Sequence, residues 1–145
     1  MRHLPRSMRD HWMGEYVTRF RNVVPDDPYR YALYRIMGRF DVTKKFPTPL
    51  VLSTENWLWL QLCLISETPA GDSHAPALQS YTLQDLANKL EKYGEAHFDP
   101  KGHRPLHYFQ LLLLVGRFEN AVAFLCSRPA YQVDAVHFAI ALTYY

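Results

Sequence analysis

Residues 106–125 read LHYFQLLLLVGRFENAVAFL. Leu111, Leu112, Leu113, Leu114 and Val115 are consecutive and uncharged, leaving no helical face for water. A helix apolar all round packs between neighbours. Gly116 follows at the place where a helix is often ended by a residue with positive φ. Arg117-Phe118-Glu119-Asn120 then restarts a helical pattern, with Ala121, Val122, Phe124 and Leu125 apolar. The stretch predicts two antiparallel helices joined by a tight glycine turn. Such a hairpin cannot cover its own apolar surface. It needs helices on both sides, which predicts a stacked helical array.

The flanks supply candidates. On the C-terminal side Arg128-Pro129 breaks the pattern, and a last helix runs from about Tyr131, with Val133, Val136, Ala139 and Ile140 recurring helically. It reaches Tyr145 without a stop signal, so the chain is expected to be a segment of a larger architecture. On the N-terminal side Pro105 opens the hairpin, and Glu95 to Arg104, with Pro100 and Gly102, reads as a loop. Before it, Leu83, Leu86, Ala87, Leu90 and Tyr93 share one helix face. Gln84, Asp85, Asn88, Lys89, Glu91 and Lys92 make the wet one. Thr82 with Asp85 resembles a capping box at its start, and Gly94 closes it.

Further upstream, Glu67 to Ser80 is polar and carries Pro69, Gly71 and Pro76; residues 67–81 are expected to form a mobile loop. Ser53 caps a helix from about Thr54 to Ser66. Its centre, Trp57 to Ile65, is nearly all apolar, so a strand competes, but the cap and the leucines, which are not β-branched, favour helix. Lys44 to Leu52, with Pro47 and Pro49, reads as a linker. Asp26-Asp27-Pro28 starts a helix that runs to about Phe40. There Ala32, Leu33, Ile36, Met37 and Phe40 form the expected inward stripe, Arg30, Arg35 and Arg39 the wet residues, and Tyr29, Tyr31 and Tyr34 the borders. A first helix from Met8 to Val24 carries Trp12, Tyr16 and Phe20 at i, i+4, i+8 and ends at Pro25. The expected fold is all-α: one α-solenoid segment over residues 1–145, with about seven antiparallel-stacked helices and no repeat of fixed period.

Composition agrees. At 48% hydrophobic and 21% charged, the chain carries enough apolar residues for a packed core. The net charge of +2 is uneven: residues 1–45 hold ten Lys/Arg against five Asp/Glu, and residues 46–145 hold six against nine. A basic end of this kind suits nucleic acid, a membrane surface or an acidic partner; with no long basic run, a solvated surface is the ordinary account. Cys63 and Cys126 lie in apolar helical runs and are expected to be buried reduced thiols. The segment after Met1 is too polar for a signal peptide, and no apolar run approaches the roughly 20 residues of a membrane span.

Chemistry-bearing patterns are sparse. His103 and His107 are four apart and His97 is near, but Pro105 lies between the pair and no H-E-x-x-H arrangement supplies a carboxylate. A Cys126–His137 nucleophile pair has nothing to orient or activate it. No glycine-rich phosphate cradle occurs. Trp57, Trp59 and the tyrosines are of the type that stacks on bases, yet sit where core packing is the ordinary explanation. No catalytic, cofactor-binding or metal-binding residue is assigned. Binding or scaffolding is the favoured class, and the alternative is a small all-α metal-dependent or hydrolytic enzyme using His97, His103, His107 or His137.

Several blocks then become specific in combination. Asn56-Trp57-Leu58-Trp59-Leu60-Gln61-Leu62, Tyr93-Gly94-Glu95-Ala96-His97-Phe98, Tyr108-Phe109-Gln110-Leu111-Leu112-Leu113-Leu114 and Gly116 to Leu125 occur in one order. Asp27-Pro28-Tyr29, Ile36 to Val42 and Asp134 to Ala139 extend the set. Together they resemble the nucleoporin-interacting-component family, the large linker nucleoporins of the inner ring of the nuclear pore complex. The similarity runs from about Tyr16 to Tyr145. Asn56 stands where an acidic residue is usual, and the loop from Lys44 to Leu52 is particular to this chain. The resemblance implies an elongated helical scaffold at the nuclear envelope that supports protein import and mRNA export. It also implies partners among other nucleoporins, held as short linear segments in helical grooves. The family's contact with the channel nucleoporins uses a coiled-coil extension; no sustained heptads occur here, so that partner does not carry over.

Overall fold

The computed structural model describes residues 5–20, 27–66 and 81–144. Among these the chain is all-helical. The α-helices are α1 (Arg6–Phe20), α2 (Pro28–Gly38), α3 (Thr54–Leu64), α4 (Leu83–Tyr93), α5 (Glu95–Phe98), α6 (Pro105–Leu114), α7 (Phe118–Cys126) and α8 (Gln132–Tyr144). Two 3₁₀ turns, Thr48–Leu50 and Pro129–Tyr131, complete the elements. The chain divides into two compact units, Met1–Thr82 and Leu83–Tyr145. The ends expected for the first helix, at Val24 and Pro25, and residues 67–80 of the expected mobile loop lie outside the described residues.

In the first unit the Trp12, Tyr16 and Phe20 stripe of α1 meets α2 through aromatic rings. Tyr16 stacks on Tyr31 at 5.9 Å and approaches the Phe40 ring at 5.0 Å. Phe20 sets its edge on Tyr31 at 5.6 Å, and Trp12 meets Tyr34 at 5.4 Å. Tilted and edge-on pairs at these spacings suit the ring quadrupoles. Asp27 caps α2: its carboxylate accepts the N–H groups of Tyr29 and Arg30, both at 3.0 Å, and Pro28 occupies the first turn.

The faces of α2 depart from the expectation in part: Ala32 and Phe40 are buried as expected and Ile36 is half-buried. Tyr31, Ala32, Tyr34, Arg35 and Gly38 are buried, whereas Leu33 and Met37 face solvent. Arg35, expected to be wet, is 0% exposed. Periodicity was satisfied by either face; the aromatic stripe of α1 and the loop carbonyls around Arg35 select the polar-tipped one. Gly38 has a specific job here, because a Cβ would lie 2.2 Å from the Phe40 ring that folds back over the helix end. In the linker, Leu50 is buried by the 3₁₀ turn. The Ser53 hydroxyl caps α3 by accepting the Asn56 N–H at 3.2 Å. Leu58, Leu60, Gln61 and Leu64 turn inward. Tyr81 closes the unit: its hydroxyl donates to Gln61 at 2.9 Å, and its carbonyl accepts the Ser66 N–H at 3.0 Å.

In the second unit α4 buries Leu86, Ala87 and Leu90 as expected. The expected loop after Gly94 contains the single turn α5 instead, stabilised by Asp99 N–H donating to the Glu95 carbonyl at 2.8 Å. The Asp99 carboxylate then accepts the N–H groups of His103 and Arg104 at 3.1 and 2.6 Å, fixing the approach to α6. The α6–α7 hairpin forms as read. Gly116 takes φ +76°, its N–H donates to Leu113 at 3.0 Å, and Arg117 N–H donates to Leu112 at 2.9 Å. That pair of bonds around a left-handed residue is a Schellman ending. Leu111, Leu112 and Val115 are buried, but Leu114 is 60% exposed, so one edge of the leucine run does meet water. α6 packs on α7, and α7 on α8. Of α8 only Ala135 is buried; Val133, Val136 and Ile140, expected to face inward, face solvent.

A Cβ at Gly116 would meet nothing closer than the Leu83 side chain at 3.9 Å, so the cost of a side chain there is backbone strain alone. Gly116→Ala is expected to destabilise the chain by about 1–2 kcal/mol. Gly14→Ala, inside α1 with nothing within 4 Å, should be neutral or stabilising by up to about 1 kcal/mol. Urea unfolding followed by circular dichroism measures both, and equal effects at the two positions would contradict the assignment.

Candidate functional site

The most organised constellation of side chains surrounds Arg35, at the C-terminal end of α2. Its guanidinium donates from Nη2 to the carbonyls of Asp41 and Lys44, at 2.6 and 2.7 Å, and from Nη1 to that of Lys45 at 3.2 Å. Its Cζ lies 4.0 Å from the Phe46 ring centre and 5.4 Å from that of Tyr31. A guanidinium carries a delocalised charge and a planar fork, so it tolerates burial between rings while its edges donate. The loop it holds is bent through two left-handed residues that are not glycine, Arg39 at φ 57° and Asp41 at φ 48°. Such conformations persist only where surrounding bonds enforce them.

A second ring of contacts ties this loop to α1. The Tyr16 hydroxyl donates to the Asp41 carboxylate at 2.9 Å, and Lys44 pairs with the same group. Burial works against the charge of Asp41, but Lys44 and the Tyr16 hydroxyl outweigh it and hold the carboxyl below its usual range. Burial, then the neighbouring Tyr31 and Asp41, push the Tyr16 hydroxyl well up. Glu15 accepts the Tyr34 hydroxyl, which holds its carboxyl low, and lies near Arg19 and Arg30.

The second unit uses its carboxylates as clamps. Glu91 of α4 accepts Asn120 of α7 at 2.7 Å and pairs with Arg117 at 3.0 Å. Arg117 also donates to Asn88 at 2.8 Å. Glu95 pairs with Arg128, whose guanidinium sits 5.1 Å from the Phe124 ring centre. These contacts fix helices to each other.

The histidines do not converge. His103 lies in the loop before Pro105 while His107 is buried in the first turn of α6, so the pair shares no helix face. His97 is exposed on α5 and stacks on Tyr93 at 4.6 Å; His137 is exposed on α8. Among the described residues no group of three or more His, Cys, Asp or Glu is arranged to hold a metal ion. Cys126, expected to be buried, is exposed, and Cys63 is half-buried with its thiol pushed up by burial. No described helix is long and apolar enough to cross a membrane.

What the surface does offer is apolar. Trp59 is 61% exposed on α3, where core packing was expected, and Trp57 is half-buried. Tyr29, Leu33 and Met37 of α2 face solvent, as does most of α8. Sequence periodicity located each face but not its direction.

Comparison with known proteins gives these surfaces a setting. The family model described as Nup93/Nic96 matches residues 1–145. Nucleoporin NIC96 of Chaetomium thermophilum is 41% identical over 99% of this chain and 13% of its own length. The meiotically up-regulated gene 87 protein of Schizosaccharomyces pombe is 37% identical over 98% of this chain and 16% of its own. Nuclear pore complex protein Nup93 of Xenopus tropicalis is 40% identical over 80% and 14%. The crystal structure of Chaetomium thermophilum Nic96 SOL matches with a TM-score of 0.74 at 38% identity, over 99% of this chain and 20% of that one. The chain thus spans between 13% and 16% of the length of these three curated relatives.

Arg35→Met is expected to strip three carbonyls of their donor and to destabilise the chain by about 3 kcal/mol or more. Arg35→Lys should recover only part, because an ammonium lacks the fork. Trypsin should cut sooner at Lys44 and Lys45 in both variants; unchanged cleavage and an unchanged urea midpoint would show that the guanidinium does not hold the loop.

Asp41 adds a pH dependence. A carboxylate held low in the folded state stabilises it above the unfolded value of about 4, and that contribution is lost as pH falls through the folded value. Asp41→Asn should therefore flatten the fall in urea midpoint below about pH 4 and leave its pH dependence near neutrality unchanged. An unaltered acid slope would assign the effect elsewhere.

Proposed function

This chain belongs to the Nup93/Nic96 family, and on that premise we propose that it is a scaffold segment of the nuclear pore complex, acting through protein–protein contacts in the inner ring. Its location would be the nuclear envelope, where ring assembly supports protein import and mRNA export. The observation that carries the reading is the match to Nic96 over 99% of the chain in both sequence and backbone. The residues support it from below. Asp27, Asp41, Glu91, Glu95 and Asp99 are used as caps, loop anchors and helix clamps, and apolar side chains on α2, α3 and α8 are exposed. Helices that pack on their neighbours in sequence, α6 on α7 and α7 on α8, are what a stacked array requires.

In this reading the chain turns over no substrate. Its partners are other scaffold nucleoporins, held as short linear segments against helix faces; a helix laid on an apolar face is the physical form of such a contact.

A fluorescently tagged polypeptide carrying this chain is expected to concentrate in a punctate nuclear rim coincident with pore markers. Leu112→Asp, which places a charge in the buried α6 core, should disperse it. Diffuse signal from the unaltered polypeptide would overturn the reading.

A further inference from the structure

We draw no further inference here: the strongest candidate, the apolar surface patch that α8 turns to solvent through Val133, Val136, Ile140 and Tyr144, carries nothing because nothing in the structure shows what covers it.

Discussion

A buried guanidinium packed against two aromatic rings sets the geometry of the first unit. Taking Arg35 out of water carries a desolvation cost of several kcal/mol. Three carbonyls and two ring faces offset it, and the bonds are directional. Because those carbonyls belong to the loop after α2, the arginine cannot be satisfied unless that loop bends back. The bend needs left-handed backbone at Arg39 and Asp41 and a missing Cβ at Gly38. The block from Ile36 to Val42 is therefore one device. Its glycine admits the Phe40 ring, its turn delivers carbonyls to Arg35, and its aspartate ties the turn to Tyr16 of α1.

That device also decides which way α2 faces. Once Arg35 and the tyrosines are inside, the opposite side must carry Tyr29, Leu33 and Met37 outward. A period of 3.6 says which residues share a face; it does not say which face is buried. An arginine is normally wet, and only contacts six to ten residues further along the chain make this one an exception. The same ambiguity explains Trp59 and the outward stripe of α8. Helix boundaries, by contrast, were legible wherever a side chain acts on its own backbone. Asp27, Ser53, Gly94 and Gly116 mark ends because capping and positive φ are local requirements. The turn α5 escaped for the same reason in reverse: Pro100 and Gly102 mark the loop that follows it, and nothing in Glu95 to Phe98 announces four helical residues. Pro105, legible in the sequence as a break, opens α6 and keeps His103 out of the helix that holds His107.

The two units use charge differently. In the second, carboxylates join helices: Glu91 bridges α4 to Arg117 and Asn120, and Glu95 holds Arg128 against Phe124. These partly exposed pairs contribute about 1 kcal/mol or less each. They act mainly by fixing how one helix sits on the next, while Leu86, Leu90, Leu112 and Leu125 supply the apolar burial. In the first unit Asp27 caps α2, Asp41 ties the following loop to Tyr16, and Glu15 accepts the Tyr34 hydroxyl.

On the scaffold reading proposed above, this division has a physical logic. Surface charges are screened over about 8 Å at physiological salt, so they select partners and speed encounter more than they hold them. Holding requires apolar area, and apolar area requires a rigid backing, because a face that must order itself on contact gives back much of what it gains. The Arg35 cage provides that backing for α2. Its bonds lie in the interior, out of reach of salt, and they fix the helix from the side opposite the exposed stripe. The polar inside and apolar outside of this helix are thus two consequences of one arrangement: the interactions that usually sit at the surface have been moved inward to hold the helix, and Tyr29, Leu33 and Met37 are left at the surface.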